Sequence, residues 1–184
     1  MATVASAALR IRTYPDPVLQ RRAAPVDVVT DEIRALIDAM FLMMDAGDGV
    51  GLAAPQVGVS LRVLVLDPSV YQKDRPRQAL VNPVIVRKRG SVMGDEGCLS
   101  LPGVEVEVRR ASSIDVRALT PEGRPVAFTA ERLEARIIQH EIDHLDGILM
   151  IDRVPAWKRW RLLRQGSAVS PSRRRRTVME SEVV

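Results

Sequence analysis

Two histidines and one cysteine are the residues of this 184-residue chain whose types and spacing could hold a metal ion. His140 and His144 are the only histidines, and because they lie four residues apart they would share one face of a helix. Glu141 follows the first histidine, where its carboxylate could accept a proton from water bound to the metal. The pattern His-Glu-x-x-His predicts a hydrolytic metal site, although a helix with two ordinary histidines is the alternative.

The third ligand of such a site has to come from another part of the chain. In zinc proteases the pattern continues to a third histidine, and that position is occupied here by Met150, a poor ligand for a hard divalent ion. Cys98 is the better candidate, because a thiolate is a strong ligand for zinc or ferrous iron. Two histidines and one cysteine would leave a coordination position for water. The alternative is that Cys98 is a small buried apolar residue.

A glycine-rich segment at residues 49–56 is the third feature that could take part in chemistry. It lacks the spacing and the lysine of a phosphate-binding loop, but its small residues would let the backbone approach a ligand closely. Gln56, at the end of the segment, offers an amide N–H that could stabilise an oxyanion. The alternative is a plain connection between a helix and a strand.

The hydrophobic pattern predicts which elements position these residues. Apolar residues at helical spacing predict one helix at 31–45, and a second from about residue 130 to Gly147 that carries both histidines. The predicted strands are 61–66, 79–86 with a break at Asn82-Pro83, 104–108, 114–118 and 124–129. Short strands between an early and a late helix favour an α+β fold, with short antiparallel sheets packed around the central metal-binding helix.

Composition and charge limit the class of protein. With 46% hydrophobic residues the chain can bury a core, and its single cysteine fits a reducing compartment. Without a recognisable signal peptide or membrane span, we expect a cytoplasmic location, with no membrane partner and no specific DNA partner.

The charge is distributed unevenly along the chain. Residues 157–176 hold eight lysines and arginines and no acid, and when these eight positive charges are subtracted from the net charge of +4, the rest of the chain carries −4. We expect one catalytic domain at 1–155, then a basic C-terminal helix and a disordered tail at 156–184.

Taken together, three segments resemble the signature motifs of the peptide deformylase family. The segments are Gly49 to Gln56, Glu96 to Ser100 and Gln139 to Gly147, in the family's order and at suitable separations. Residues 16–19 and 25–26 also resemble the family's N-terminal region. The family removes the formyl group from the N-terminal formyl-methionine of newly made bacterial or organellar polypeptides. The resemblance therefore implies a metal-dependent hydrolase that acts on such nascent peptides.

The resemblance also implies a role for each candidate ligand. Cys98, His140 and His144 would hold one divalent metal ion, usually Fe²⁺, with Zn²⁺, Ni²⁺ or Co²⁺ as other possibilities. Metal-bound water would attack the formyl carbon. Glu141 would act first as the general base that takes the proton of this water, and then as the general acid that protonates the departing amine.

Further residues are implied around the metal. The backbone N–H of Leu99 and the side chain of Gln56 would stabilise the negative charge on the formyl oxygen. Gly51 would keep the site narrow, so that only a small acyl group fits. The candidates for an apolar pocket that binds the methionine side chain are Val50, Leu133 and Ile137, with ordinary core packing as the alternative.

Two polar neighbours of the histidines could fix the orientation of the ligands. Gln139 and Asp143 flank the histidines in sequence, and Arg109 or Arg110 could supply a basic partner for Asp143. The alternative is that both are solvated helix residues.

The basic C-terminal segment and the class of protein each leave alternatives open. The basic segment could hold the enzyme on the ribosome through phosphate contacts, or it could be a terminal helix that packs Trp157 and Trp160 on the body.

Besides a deformylase, the sequence leaves two other classes of protein open. One is a metallopeptidase, which Met150 disfavours, and the other is a catalytically silent relative that binds ribosomes or nascent chains. The silent relative would have no need of Glu141 and the three metal ligands together.

Overall fold

Two helices cover opposite faces of an antiparallel sheet in the computed structural model, which describes residues 9–166. The α-helices of this range are α1 (Asp31–Ala46), α2 (Arg132–Leu145) and α3 (Ala156–Gly166). Its strands are β1 (Gly51–Ala53), β2 (Val63–Leu66), β3 (Gln78–Arg89), β4 (Val92–Gly97), β5 (Glu105–Arg110), β6 (Ser113–Leu119) and β7 (Pro125–Glu131). The α+β fold predicted from the hydrophobic pattern is confirmed.

The five-stranded sheet has the order β1-β2-β3-β6-β7, and every neighbouring pair is antiparallel. Strand β2 is buried on both faces: Val63 and Val65 pack with the cluster under α1, whereas Leu64 and Leu66 pack with the cluster under α2. Strands β4 and β5 form a separate antiparallel pair. Its inner residues, Val106 and Val108, belong to a third cluster.

Helix α1 forms where the periodicity predicts it. Its buried side chains are Ile33, Leu36, Ile37, Met40 and Met44, which recur at helical spacing and face the sheet. Asp31 and Glu32 lie in the first turn, where their negative charges interact favourably with the helix dipole. The helix ends at Gly47, and the glycine-rich segment that follows runs directly into β1.

The predicted break at Asn82-Pro83 is wrong, because β3 continues through it. A register shift between Val81 and Val84 takes up the irregularity, and such a bulge allows a proline inside a strand. Asn82 adopts a positive φ of 52°, and its side chain forms hydrogen bonds of 2.9 and 2.8 Å with the backbone N–H and C=O of Val26. The polar side chain therefore stabilises the irregular backbone.

Helix α3 packs differently from the expectation for a terminal helix. Trp157 and Trp160 are 68% and 62% exposed, so the expectation that both pack on the body is wrong. Leu162 and Leu163 make the contacts with the third cluster instead. The predicted disordered tail lies largely outside the described residues. Within residues 9–166, none of the helices has both the length and the apolar character needed to cross a membrane.

Candidate metal centre and active site

Helix α2 carries both histidines through the interior of the molecule. Every residue from Glu134 to Leu145 is buried, which makes this the central helix of the fold. His140 and His144 are 6% and 1% exposed, with their ring centroids 5.0 Å apart and their planes at 74°. The spacing of four residues thus places both imidazoles on the same side of a buried helix.

The cysteine reaches the histidines from a separate element. Cys98 follows the last residue of β4, in a turn closed by a 2.9 Å hydrogen bond from the Leu101 N–H to the Cys98 carbonyl. Its Sγ lies 3.2 Å from Nε2 of His144. The candidate ligand atoms of Cys98, His140 and His144 all lie within 4.8 Å of one another. The fold therefore brings the three predicted ligands together.

The protonation chemistry of these side chains fits a divalent metal. Burial raises the pKa of Cys98, but the charges and hydrogen bonds of His144 and His140 outweigh it and lower the pKa well below its ordinary value. The thiolate favoured in this way is the form of cysteine that binds metals. Nδ1 of His140 is engaged by Glu96 at 2.9 Å, which leaves Nε2 of His140 available as a ligand atom. Three protein ligands with one open position are typical of a catalytic site.

Glu96 is a candidate functional residue that sequence reasoning missed. It is fully buried, and its two oxygens accept hydrogen bonds of 2.8 Å each from Arg110 and one of 2.9 Å from Arg136. Burial raises its pKa, but the hydrogen bonds from Arg110 and His140 hold it well below the usual range. A carboxylate on the outer nitrogen fixes the orientation and tautomer of a ligand histidine. The sequence did contain one signal for Glu96, its position two residues before Cys98 in an extended segment. Residues i and i+2 of a strand face the same way, so Glu96 could be expected on the side of the chain that Cys98 faces.

The residues that flank the histidines in sequence contact other groups. Asp143 accepts a 2.5 Å hydrogen bond from Arg110, whereas Arg109 donates to the Ser91 hydroxyl at 3.3 Å. The Gln139 side chain binds the backbone N–H and C=O of Ala111. Within residues 9–166, neither Gln139 nor Asp143 forms a hydrogen bond with His140 or His144, whereas Glu96 of β4 contacts His140.

Glu141 is a buried carboxylate beside the three candidate ligands. It is 4% exposed, and its Oε2 has no hydrogen-bond partner among the described residues. Burial raises its pKa to about 7, although the nearby His140 and His144 act in the opposite direction. A carboxyl group with a pKa near neutrality can both take up and release a proton. A Cβ at Gly51 would lie 2.7 Å from Oε1 of Glu141, so the bare backbone of β1 leaves the space that this carboxylate occupies.

Gln56 is a further buried polar residue at the site. It lies in the short 3-10 helix Ala54–Val57 and is 2% exposed. Its Oε1 accepts a 2.8 Å hydrogen bond from the Ala53 N–H, which turns the amide NH₂ group inward. Nε2 then donates to Ser100 Oγ at 3.3 Å and to Cys98 Sγ at 3.5 Å. A hydrogen-bond donor is therefore held beside the cysteine.

One cavity of about 370 Å³ joins most of the predicted site residues. The predicted residues that line it are Val50, Gly51, Gln56, Cys98, Leu99, Ile137, His140 and Glu141. Leu133 is not among the lining residues, and its partly buried side chain packs against the core cluster between α2 and the sheet. His144 lies behind Cys98, outside the lining.

This fold and this site define a class of protein. A thiolate and two imidazoles converge beside a buried carboxylate, which is the arrangement of a metal-dependent hydrolase. A family model described as polypeptide deformylase matches residues 8–160. The chain belongs to the polypeptide deformylase family, and it is therefore a hydrolase.

Individual relatives agree with the family assignment over most of their length. A peptide deformylase of Alkalilimnicola ehrlichii is 48% identical over 159 residues, which are 86% of this chain and 89% of the relative. The crystal structure of a peptide deformylase from Legionella pneumophila has a TM-score of 0.82 at 40% identity, covering 88% of this chain and 95% of that one. The peptide deformylase of Synechococcus elongatus, solved in complex with actinonin, has a TM-score of 0.82 at 38% identity, covering 89% of this chain and 90% of that one.

Proposed function

We propose that this hydrolase removes the N-formyl group from the N-terminal formyl-methionine of newly made polypeptides. The observation that carries the proposal is the convergence of Cys98, His140 and His144, with the unpaired carboxylate of Glu141 beside them in one cavity. Membership of the polypeptide deformylase family supports the same reaction.

Cys98, His140 and His144 are proposed to hold one divalent metal ion. Thiolate and imidazole ligands suit Fe²⁺ and Zn²⁺, with Ni²⁺ and Co²⁺ as further possibilities, and Fe²⁺ is our first choice. When bound, the metal supplies Lewis acidity, which makes water a better nucleophile near neutral pH. Because the Cys98 thiolate is sensitive to oxidation, a reducing compartment such as the cytoplasm suits the site.

Glu141 is proposed to take a proton from the attacking water and to pass it to the amine that leaves. Its burial supports this role, because a pKa raised to about 7 matches the group to both proton transfers. Nε2 of Gln56 and the backbone N–H of Leu99 are the proposed donors to the negative oxygen of the formyl group. Both residues line the cavity that Glu141 faces. Donors fixed in advance stabilise such charge, and removing one typically costs about 100- to 1,000-fold in turnover.

Val50 and Ile137 are the proposed walls of the methionine pocket, since both line the cavity and are apolar. A Cβ at Gly51 would lie 2.9 Å from Cγ2 of Ile137, so any side chain at residue 51 would fill the same space. Leu133, outside the lining, is proposed to act through its packing under the pocket.

Formate release from formyl-Met-Ala-Ser by anaerobically purified protein tests the reaction. We expect turnover by the parent, loss of metal and turnover in Cys98→Ala, and retained metal with at least about 100-fold slower turnover in Glu141→Gln. Metal content measured on each variant separates loss of the ligand from loss of the proton carrier. Absence of turnover with Fe²⁺, Ni²⁺, Co²⁺ and Zn²⁺ each supplied in turn would contradict the proposed reaction, and would favour a silent relative that only binds ribosomes or nascent chains.

A further inference from the structure

A second cavity lies against a different face of α2 from the proposed active site. Its volume is about 310 Å³, and it shares no lining residue with the first cavity. His140 and Glu141 line the first cavity, whereas Gln139 and Asp143, which are four positions apart and share a helix face, line the second. The second cavity is therefore separate from the site to which the hydrolytic chemistry is assigned.

The second cavity has an excess of positive charge. Its lining contains five cationic side chains and two carboxylates, which leaves three positive charges without a matching carboxylate. The cationic residues are Arg22, Arg62, Lys88, Arg110 and Arg153, and the carboxylates are Asp143 and Asp146. Glu96, outside the lining, also pairs with Arg110, but it pairs with Arg136 as well, so it does not remove the excess.

The two carboxylates hold three of the arginines in place around the cavity. Asp146 accepts a 2.7 Å hydrogen bond from Arg62, whose guanidinium also donates to the carbonyl oxygens of Leu145 and Pro83, both at 3.3 Å. Asp143 accepts hydrogen bonds from Arg110 and Arg153. Guanidinium groups that are fixed in advance lose little conformational freedom when they bind an anion.

Lys88 and Arg22 are the two cations of the lining with the weakest attachment to the protein. Lys88 is exposed on β3, and its ammonium has no hydrogen bond or ion pair with any residue in the described range 9–166. Arg22 is also exposed, and its Nε lies 3.8 Å from Asp146, which is long for an ion pair. Both side chains are therefore available to a ligand that enters from solvent.

We infer that this cavity binds a small organic diphosphate, of the class of a nucleoside diphosphate. Guanidinium forks bind phosphate oxygens through paired, charge-assisted hydrogen bonds. One phosphomonoester carries about −1.5 to −2 charges at pH 7, so a diphosphate matches an excess of three positive charges more closely. The organic part of the ligand has an apolar wall beside the cations, formed by Pro83, Val84, Ile85 and Ile142. The volume of about 310 Å³ falls within the size range of small-molecule sites.

Isothermal titration calorimetry of the metal-loaded protein with ADP, pyrophosphate and inorganic phosphate tests the site. At low salt we expect ADP and pyrophosphate to bind at one site per chain, at least about tenfold more tightly than phosphate, because they carry more charge. The affinity should fall as KCl is raised, because salt screens the attraction. Metal content is measured before and after each titration, since phosphate groups also bind divalent metals.

One variant and one matched control locate the binding. Lys88→Glu should weaken ADP binding by at least about tenfold, because it replaces a cation of the lining with an anion. Lys73→Glu makes the same replacement at an exposed lysine outside the cavity and should keep the parental affinity. Both variants should release formate from formyl-Met-Ala-Ser at the parental rate, because neither residue lines the first cavity.

The formate assay thus reports folding and the proposed function independently of the second cavity. Absence of ADP and pyrophosphate binding, or an ADP affinity that is equal in the parent and Lys88→Glu, would overturn the diphosphate site. Binding of hexauridylate alone, lost in Lys88→Glu, would also overturn it and would assign the cavity to RNA instead.

Discussion

At the residue scale, the absence of a side chain at Gly51 brings a strand backbone close to a buried carboxylate. A Cβ at this position would lie 2.7 Å from Oε1 of Glu141 and 2.9 Å from Cγ2 of Ile137. Neither neighbour can retreat easily, since Glu141 and Ile137 are 4% and 1% exposed on the central helix. The glycine therefore sets the distance between β1 and the proposed proton carrier.

Gly51→Ala is predicted to lower kcat/KM for formyl-Met-Ala-Ser by at least about 100-fold. A shift of about 1 Å in a reacting group is enough for an effect of that size. The three atoms nearest to the new methyl group belong to Glu141 and Ile137 and not to the proposed metal ligands, so the metal content should stay at the parent's level. Gly49→Ala is a graded control, because its Cβ would meet the side chains of Leu99 and Met44 at 3.2 and 3.3 Å. Near-parental kcat/KM in Gly51→Ala would show that this close approach is unimportant.

Residue types and spacing could predict the cluster of Cys98, His140 and His144, but not the carboxylate that contacts it. His140 and His144 follow from a local helical repeat, and Cys98 was the only cysteine available. Glu96 is one acid among many in the sequence, and its role depends on a β4–β5 pairing that places it against α2 and its arginines. A contact between distant segments leaves no local periodicity, so sequence reasoning assigned the orienting role to Asp143 and Gln139 instead.

At the element scale, buried ion pairs join the β4–β5 pair to α2. Arg110 of β5 binds both oxygens of Glu96 and also Asp143 of α2, and Arg153 binds Asp143 from the chain that follows α2. Burial lowers the pKa of Arg110, but the Glu96 carboxylate outweighs burial and raises it well above the ordinary value. Because Cys98 leaves from β4 and the histidines sit on α2, the same ion pairs set the distance between cysteine and histidines.

Arg110→Met is predicted to destabilise the fold and to loosen the metal site. Removing one partner of a buried ion pair typically costs about 3–5 kcal/mol, because the remaining charges stay buried. Its neighbour in β5 provides a matched control: Arg109→Met removes an exposed arginine whose hydrogen-bond partner within residues 9–166 is Ser91, and should change stability by less than about 0.5 kcal/mol. Urea unfolding and metal content of both variants make the comparison. Equal stability of the two variants would contradict a structural role for the Glu96–Arg110 pair.

The elements themselves were predictable to different degrees. Helices α1 and α2 and strand β5 have strong local periodicity, and the structure confirms all three near the predicted bounds. Strands β1 and β4 were missed, because glycines at positions 51, 94 and 97 are untypical of strands and the pairing partners lie elsewhere in the chain. The break predicted in β3 failed for a similar reason, since the hydrogen bonds that hold Asn82 come from Val26.

At the scale of the whole molecule, the charge is divided between body and C-terminal segment. The eight lysines and arginines of residues 157–176 leave the rest of the chain at a formal −4. In α3, Trp157 and Trp160 remain exposed, and Arg159 pairs with Asp152. A segment with this much positive charge and exposed aromatic surface is suited to a polyanion, and on an enzyme that processes nascent chains the proposed polyanion is ribosomal RNA.

Removal of the residues after Pro155 is predicted to separate catalysis from ribosome contact. The truncated protein should release formate from formyl-Met-Ala-Ser with a kcat/KM within about twofold of the full chain, because no residue beyond 155 lines the cavity among the described residues. Its unfolding free energy should fall by about 1–2 kcal/mol, since Leu162 and Leu163 no longer pack on the third cluster.

Co-sedimentation with ribosomes measures the contact itself. The full chain should co-sediment with ribosomes in low salt and dissociate as salt rises, whereas the truncated protein should not bind. Replacing Arg173 to Arg176 by glutamine should give intermediate binding at unchanged turnover. Association that is equal for all three proteins and insensitive to salt would contradict docking through the basic segment.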